Sequence, residues 1–422
     1  MGADTAVVRR VLAELGNPQD AVPVVLLAGT NGKGSVAAMV ESMARAAGYR
    51  AGLFHSPALG EDCEQIRIDG EPLSELAFAR WIDRADRAAE AVAPGQMTWF
   101  EATTLAAYLA FADPEAGIDL AIVEAGLGGE DDCTNVPSTV VASALVTVGL
   151  EHRRQLGATR ALIARNKAGI FRRGRPALLG WLPADAKAEA WARADELGAR
   201  VESVADHLEH LATSTLDPRR QRLELRTAEF DLRINLQLPG THQGHNAALA
   251  VRLIEHLRQA NFDRLDGGAV AAGLEGCRWP GRLEWLDGLP RPVLLDVAHD
   301  PDAQRALVAY LEALPDLEPP DLLYGAFDDK DHRAMFEILA PRVGQTWLTA
   351  IDHPRATAPN QLADRLPPGL VHRAHREPSL PKALDRLMIP TPTPLLVTGS
   401  MHLVGRARRF LLERRGARST TS

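Results

Sequence analysis

The sequence predicts an α/β protein of two domains, and three observations carry that prediction. Short apolar runs alternate with amphipathic, helix-spaced stretches along the first half. The same βα rhythm restarts after the segment DGLPRP at 287–292. The length, 422 residues, is more than one ordinary domain holds and comfortable for two. The expected division is 1–287 and 288–422, two α/β domains joined by a short hinge, with a site in the cleft between them.

The first domain opens on Val24–Ala28 (VVLLA), a continuous apolar run of the kind buried on both faces of a parallel sheet. A Gly-rich turn follows, then VAAMVESMARAAG, whose apolar residues recur at helical spacing up to Gly48. Arg50–His55 returns to a strand and completes a βαβ unit, which implies parallel strands. Further strands are expected at Leu120–Glu124, Val140–Val148 and Pro176–Leu179. Residues 222–238 (RLELRTAEFDLRINLQL) alternate without a helical period, which predicts a small antiparallel side sheet; NAALAVRLIEHL then reads as a helix. Beyond the linker, strand and helix take turns: VLLDVA, DAQRALVAYLEAL, DLLYGAF, HRAMFEILAP, TWLTAI, and PLLVTGS ahead of a C-terminal helix.

Composition narrows the function classes. Apolar residues make up 46 % and charged residues 24 %, an ordinary globular balance. A net charge of −8 argues against nucleic acid as a partner, because that needs a basic face, and leaves room for small anionic substrates. Cys63, Cys133 and Cys277 lack CxxC spacing, so neither a disulfide framework nor a zinc site is expected, and a reduced, cytoplasmic setting is. The opening MGADTAVVRRVLAEL has no apolar core of a signal peptide, and no stretch reaches the roughly 18 apolar residues of a membrane span. A monomer acting on small molecules is the expectation.

Residues 28–35 read AGTNGKGS, with Gly29, Gly32 and Gly34 between a strand and a helix. Such a loop turns backbone N–H groups toward an anion, and the helix N-terminus adds partial positive charge. Lys33 can reach β- and γ-phosphate oxygens and Ser35 can ligate Mg²⁺. The strict Walker A pattern fails, since Gly34 stands between Lys33 and Ser35. A plain Gly-rich turn is the bland alternative, but a Lys and a Ser in these places after a buried strand are uncommon. A Rossmann dehydrogenase fits poorly: the glycines do not follow GxGxxG, and a Lys–Ser pair has no part in dinucleotide binding.

The loop is followed in order by SPAL, EQIRIDG, TWFEATT, VEAGLGGEDDCTN, TVGLEH, LGATRALIARNKAGI, LPGTHQGHNAA, WPGRLE, LDVAHDP, DDKDH and VTGSMHLVG. In this order the motifs resemble dihydrofolate synthase/folylpolyglutamate synthase, of the Mur ligase superfamily, over nearly the whole chain. The resemblance implies an N-terminal P-loop ATPase-like domain of the Mur ligase central type and a C-terminal Rossmann-like α/β domain. It implies ATP and Mg²⁺ as cofactors, L-glutamate and a pteroate- or folate-like acid as substrates, and folate metabolism as the setting. Gly29, Thr30, Asn31, Gly32, Lys33, Gly34 and Ser35 would bind the phosphates. Ser35, Glu124, His152 and Lys167 match metal positions, Lys167 as a lysine that is carbamylated in the family. Alone, His152 beside Arg153 and Arg154 would read as a surface histidine. Asn246, Arg282, Asp296 and His299 match nucleotide-binding positions, and Lys33, Lys167, His152 and Arg282 would be the catalytic set. Lys330, in DDKD, would join them or belong to a solvated charged loop.

The implied reaction has two steps: the acceptor carboxylate attacks the γ-phosphate to give an acyl phosphate and ADP, then the amine of glutamate displaces phosphate. Catalysis is positioning and charge neutralisation, without a side-chain nucleophile. The departures from the family pattern are Ala58 for His, Gln65 for Arg, Glu130 and Asp131 for Arg and Leu, Asn166 for Glu, and Asp300 for Asn. They leave the phosphate loop intact, and several fall in loops expected to face the acceptor, with Glu130 reversing a charge. They motivate two further readings, a Mur-type amide ligase for a non-folate carboxylate and a non-catalytic nucleotide-binding homologue.

Overall fold

The computed structural model describes residues 5–419, with side chains to 416, and divides into two compact units. The first comprises residues 1–213, 223–236 and 243–277, and the second 214–222, 237–242 and 278–422.

The first unit is built on an eight-stranded sheet. Its strands are β1 (Val24–Ala28), β2 (Ala51–Phe54), β3 (Ile66–Ile68), β4 (Glu71–Pro72), β5 (Leu120–Glu124), β6 (Val140–Leu145), β7 (Pro176–Leu179) and β8 (Arg200–Ser203). They lie in the order β4-β3-β2-β5-β1-β6-β7-β8. From β2 to β8 all neighbours run parallel, and β3 and β4 add an antiparallel edge that the apolar pattern does not announce. Every residue of β1, β2, β5 and β7 is buried, as expected where helices cover both faces. The register sets Leu27 of β1 beside Glu124 of β5 and Ala28 beside Leu145 of β6, so the turns leaving three central strands open at one edge. β6 stops at Leu145 rather than Val148, because Thr147 is drawn into hydrogen bonds with the turn after β1.

The Lys33–Ala46 helix follows that turn and ends before Gly48, which takes φ 76°. The TWFE motif is a helix start. Thr98 Oγ1 accepts from the Glu101 N–H, and Glu101 accepts from the Thr98 N–H at 2.8 Å, a capping box for the buried Trp99–Phe111 helix. The alternating stretch forms β10 (Arg220–Arg226) and β11 (Asp231–Leu236), joined by β9 (His210–Asp217) in an antiparallel three-stranded sheet.

The second unit holds β12 (Glu284–Leu286), β13 (Val293–Leu295), β14 (Asp321–Tyr324), β15 (Thr346–Leu348), β16 (Ala374–Arg376) and β17 (Leu395–Thr398), ordered β12-β13-β17-β14-β15-β16. Only the β12–β13 pair is antiparallel. Leu294, Tyr324, Phe336 and Leu396 lie in its core. The DGLPRP segment falls inside this unit rather than at its border. β12 already pairs with β13, and the buried Arg291 donates to Asp321 Oδ2 (2.8 Å), Thr393 O (2.9 Å) and Pro394 O (3.0 Å). Pro and Gly mark a turn here, not a domain linker. Among the described residues no helix is long and apolar enough to cross a membrane.

Candidate active site

The loop between β1 and the Lys33–Ala46 helix is fastened from the β6 side. The Thr30 N–H donates to Thr147 O and the Asn31 N–H to Thr147 Oγ1, both at 2.9 Å, while the Gly149 N–H donates to Thr30 Oγ1 at 2.9 Å. Gly32 is the helix N-cap at φ 85°, and no side chain caps the helix. The N–H groups of the first turn thus have neither an intrahelical acceptor nor a capping side chain, the arrangement that receives an anion. Gly32 is also required by space: a Cβ there would lie 2.8 Å from Asn246 Oδ1 and 3.0 Å from Val146 Cγ1.

Four charged groups converge on Gly29. Lys33 Nζ donates to Gly29 O (2.9 Å) and Thr30 O (3.1 Å) and lies 3.6 Å from Glu124 Oε1. Lys167, only 2 % exposed, donates to the same Gly29 carbonyl at 2.9 Å and to Glu151 Oε1 at 3.1 Å. Burial lowers the Lys167 pKa to about 8, although Glu151 pulls the other way. Burial would raise the Glu151 carboxyl, but Lys167, Lys33 and His152 together outweigh it and hold it at about 2. Glu151 was not among the residues singled out from the sequence; its place beside His152 in LEH was the available signal.

Ser35 is buried in the first helical turn, and its Oγ accepts from Gln243 Nε2 at 3.3 Å. Gln243 Oε1 accepts from Asn246 Nδ2 at 3.0 Å, so a further unanticipated residue links the expected metal ligand to the expected nucleotide ligand. His152 is exposed, with φ 46°, at the start of the four-residue Arg153–Leu156 helix. Among the described residues no three of His, Cys, Asp and Glu form a metal-holding group. The hydroxyl of Ser35 and the carboxylate of Glu124 are hard oxygen donors, a partial set that suits Mg²⁺, an ion that keeps waters and phosphate oxygens in its remaining positions.

The GLGGEDDCTN loop lies against the NKAG turn, where a Cβ at Gly129 would stand 2.5 Å from Lys167 O. Asp132 organises the loop: its carboxylate accepts from the Leu127 N–H (2.7 Å), the Thr134 N–H (3.0 Å) and Thr134 Oγ1 (2.6 Å). Asn135 Nδ2 donates to Glu130 O and Gly169 O, each at 3.1 Å. The charge reversal at Glu130 is answered locally, because its carboxylate pairs with Arg193 at 2.5 Å. Gln65 is buried and donates to Asp62 Oδ1 at 3.1 Å.

In the second unit the buried Asp296 accepts from the Leu283 N–H and the Ala298 N–H, each at 3.0 Å, so both carboxylate oxygens hold backbone as well as whatever else they meet. Burial raises its pKa, with Arg282 opposing. Burial lowers the His299 pKa, helped by the neighbouring Lys330, and Val297 O lies 3.0 Å from its Nδ1. Asp300 caps the Pro301–Glu312 helix through the Ala303 N–H at 2.9 Å, work an Asn would do equally. In DDKDH, Asp331 caps the His332–Leu339 helix and His332 is buried between Tyr324 Oη (3.2 Å) and Thr357 Oγ1 (3.1 Å).

A phosphate-type loop with a partly buried and a buried lysine at the edge of a parallel sheet, followed by a second α/β unit, defines a Mur-type ligase. Residues 27–254 match the Mur ligase middle domain and 281–401 the Mur ligase glutamate ligase domain. The chain belongs to the Mur ligase superfamily and, within it, to the folylpolyglutamate synthase/dihydrofolate synthase family of ATP-dependent ligases. It is 31 % identical to the Bacillus subtilis dihydrofolate synthase/folylpolyglutamate synthase, over 84 % of this chain and 83 % of that one. It is 33 % identical, over 96 % of its length, to a probable bifunctional folylpolyglutamate synthase/dihydropteroate synthase of Haloferax volcanii, of which it spans only 48 %. The structure of Mycobacterium tuberculosis folylpolyglutamate synthase complexed with ADP and AMPPCP superposes with a TM-score of 0.87 at 29 % identity, covering 97 % of this chain and 96 % of that one.

Proposed function

We propose that this chain joins L-glutamate to the carboxyl group of dihydropteroate, of a reduced folate, or of both, with ATP as the energy source. The observation that carries the reading is the convergence of Lys33, Lys167, Glu124 and Glu151 around Gly29, beside an uncapped helix N-terminus. Lys33 neutralises the phosphate charge that develops as the acceptor carboxylate attacks. The loop N–H groups orient the triphosphate. Ser35 and Glu124 hold Mg²⁺, with His152 added by the resemblance; the ion screens phosphate charge when bound. Asn246, Arg282, Asp296 and His299 are assigned to the nucleotide on the resemblance.

Lys167 is assigned as the carbamylated residue. A pKa lowered to about 8 leaves a usable share of neutral amine at physiological pH, which carbamate formation needs. The carbamate would turn a cation beside Glu151 into an anion, and two anions at that distance require a cation near them. Modification of Lys167 and metal binding are therefore linked in this chain. The protein is taken to work as a cytoplasmic monomer on small molecules, apart from nucleic acid and membrane, in line with its charge of −8.

The test is phosphate release with ATP, Mg²⁺, bicarbonate and L-glutamate, with dihydropteroate or tetrahydrofolate as acceptor, and mass spectrometry of the products. A glutamate adduct that disappears in Lys33→Ala is the expected result. Absence of an adduct with both acceptors, in a protein that still binds ATP, would sink the folate assignment and favour a different carboxylate.

A further inference from the structure

We propose that Trp181, braced by His245, is a binding residue for the purine base of the nucleotide; this rests on the reading that a nucleoside triphosphate occupies the Gly29–Ser35 loop. The two rings are stacked, with centroids 4.2 Å apart and planes 21° from parallel. Both are half-buried, so the stack sits at the surface of the first unit rather than in its core.

Each partner is tied to a residue that touches the phosphate loop. Trp181 follows Gly180, whose N–H donates to Leu145 O at 2.9 Å and whose missing side chain would collide with Val146 O. The backbone leading to the indole therefore lies flat on the end of β6. Val146 itself packs on the loop, with its Cβ 3.2 Å from the Cβ position of Gly29 and its Cγ1 3.0 Å from that of Gly32. From the other side, His245 immediately precedes Asn246, whose Oδ1 lies 2.8 Å from the Cβ position of Gly32. The stack thus stands beside the phosphate loop: His245 is one residue from a contact with it, and Trp181 is joined to it through Gly180 and Val146.

The chemistry of the pair suits an uncharged heteroaromatic ligand. Burial lowers the His245 pKa, so the imidazole is neutral at physiological pH and adds no charge to the ring face. Leu182, which follows Trp181, packs against the hydrophobic core, which anchors the turn without the indole. A half-buried indole held rigid by a neighbouring ring offers a base large contact area at little entropic cost. Stacking tolerates any purine, so the pair would strengthen binding without choosing between adenine and guanine.

Calorimetric titration of the full chain with MgATP and with magnesium tripolyphosphate, which lacks a base, separates the two parts of the ligand. Trp181→Ala should raise the Kd for MgATP about tenfold, the typical effect of losing one base–aromatic stack, and change that for tripolyphosphate less than twofold. Trp181→Phe should restore most of the affinity. If Trp181→Ala does not fold, the readout is tryptophan fluorescence: ATP should quench the wild type and quench Trp181→Phe much less. Equal weakening for both ligands, an unchanged Kd for MgATP, or the same quench in Trp181→Phe would overturn the proposal. A wild-type chain that binds neither ligand would instead overturn the nucleotide reading beneath it.

Discussion

Two loops of the first unit carry family motifs, and they are held in opposite ways. In the phosphate loop, charged side chains face one another across short distances: Lys33 and Lys167 share the Gly29 carbonyl, with Glu124 and Glu151 beside them. In the GLGGEDDCTN loop, polar side chains are consumed by the loop itself. Asp132 accepts from Leu127 and Thr134, Asn135 donates to Glu130 and Gly169, and Glu130 pairs with Arg193. The first pattern concentrates charge that a ligand can complete. The second satisfies buried polar groups and fixes a backbone path. The difference teaches that a changed letter in a motif matters according to which kind of loop contains it. The phosphate loop keeps its letters, while Glu130 changes sign and brings its own partner.

The largest expected effect lies in the phosphate loop. Lys33→Ala should lower kcat/KM for ATP-dependent phosphate release by about a thousandfold or more, the scale of losing one preorganised charge, with an unchanged far-ultraviolet spectrum. Full activity in that variant would break the contrast at its root.

Glu151→Gln comes next. In protein kept free of bicarbonate, where Lys167 remains an amine, it leaves that amine buried without its counter-charge, at a cost of about 3 kcal/mol in urea unfolding at neutral pH. Glu151 has a folded pKa of about 2 against an ordinary value of 4.5, so its stabilisation is whole above about 4.5 and fades as pH falls through about 2. The variant should therefore lose stability at pH 7 and much less near pH 2. An equal loss at both would show that charge is not the cause.

Asp132→Ala should cost about 2 kcal/mol of stability by leaving donors of the loop unsatisfied, and should lower activity only as far as the loop loosens. A large drop in kcat without a drop in stability would move Asp132 from scaffold to chemistry.

The smallest effect is expected at Glu130. Its carboxylate is partly exposed and already paired, so Glu130→Gln should cost under about 1 kcal/mol of stability and change the KM for the acceptor less than twofold. A marked fall in KM for a polyglutamylated acceptor would show that the Arg193 pair leaves repulsion in place.

Much of the fold was legible in the sequence. VVLLA, LAIVE and PALL are buried over their whole length, and a strand covered on both faces has to be apolar except where, as at Glu124, its end opens into the site. The edge strands β4, β8 and β16, and β3 next to β4, are not legible in the sequence, because short or half-exposed strands leave no period to detect. Pro and Gly in DGLPRP misled, since they report a local turn and cannot report that Arg291 is buried behind it. The site was legible where a motif ties chemistry to local backbone, as at Gly32, Lys33 and Ser35. It was not where partners come from distant segments: Thr147, Glu151 and Gln243 lie in the TVGLEH and LPGTHQGHNAA motifs, but that they meet Asn31, Lys167 and Ser35 is settled only after the sheet has formed.

By itself, then, the sequence determined the buried strands with the helices that follow them, the phosphate loop and the family, because hydrophobic period, turn chemistry and the loop's glycines are local properties of the chain. Tertiary structure alone decided which charges meet. The parallel register of β1 with β5 and β6 brings Lys33, Glu124, Glu151 and Lys167 to one edge, and pairing between groups so far apart in the chain depends on where the strands end in space.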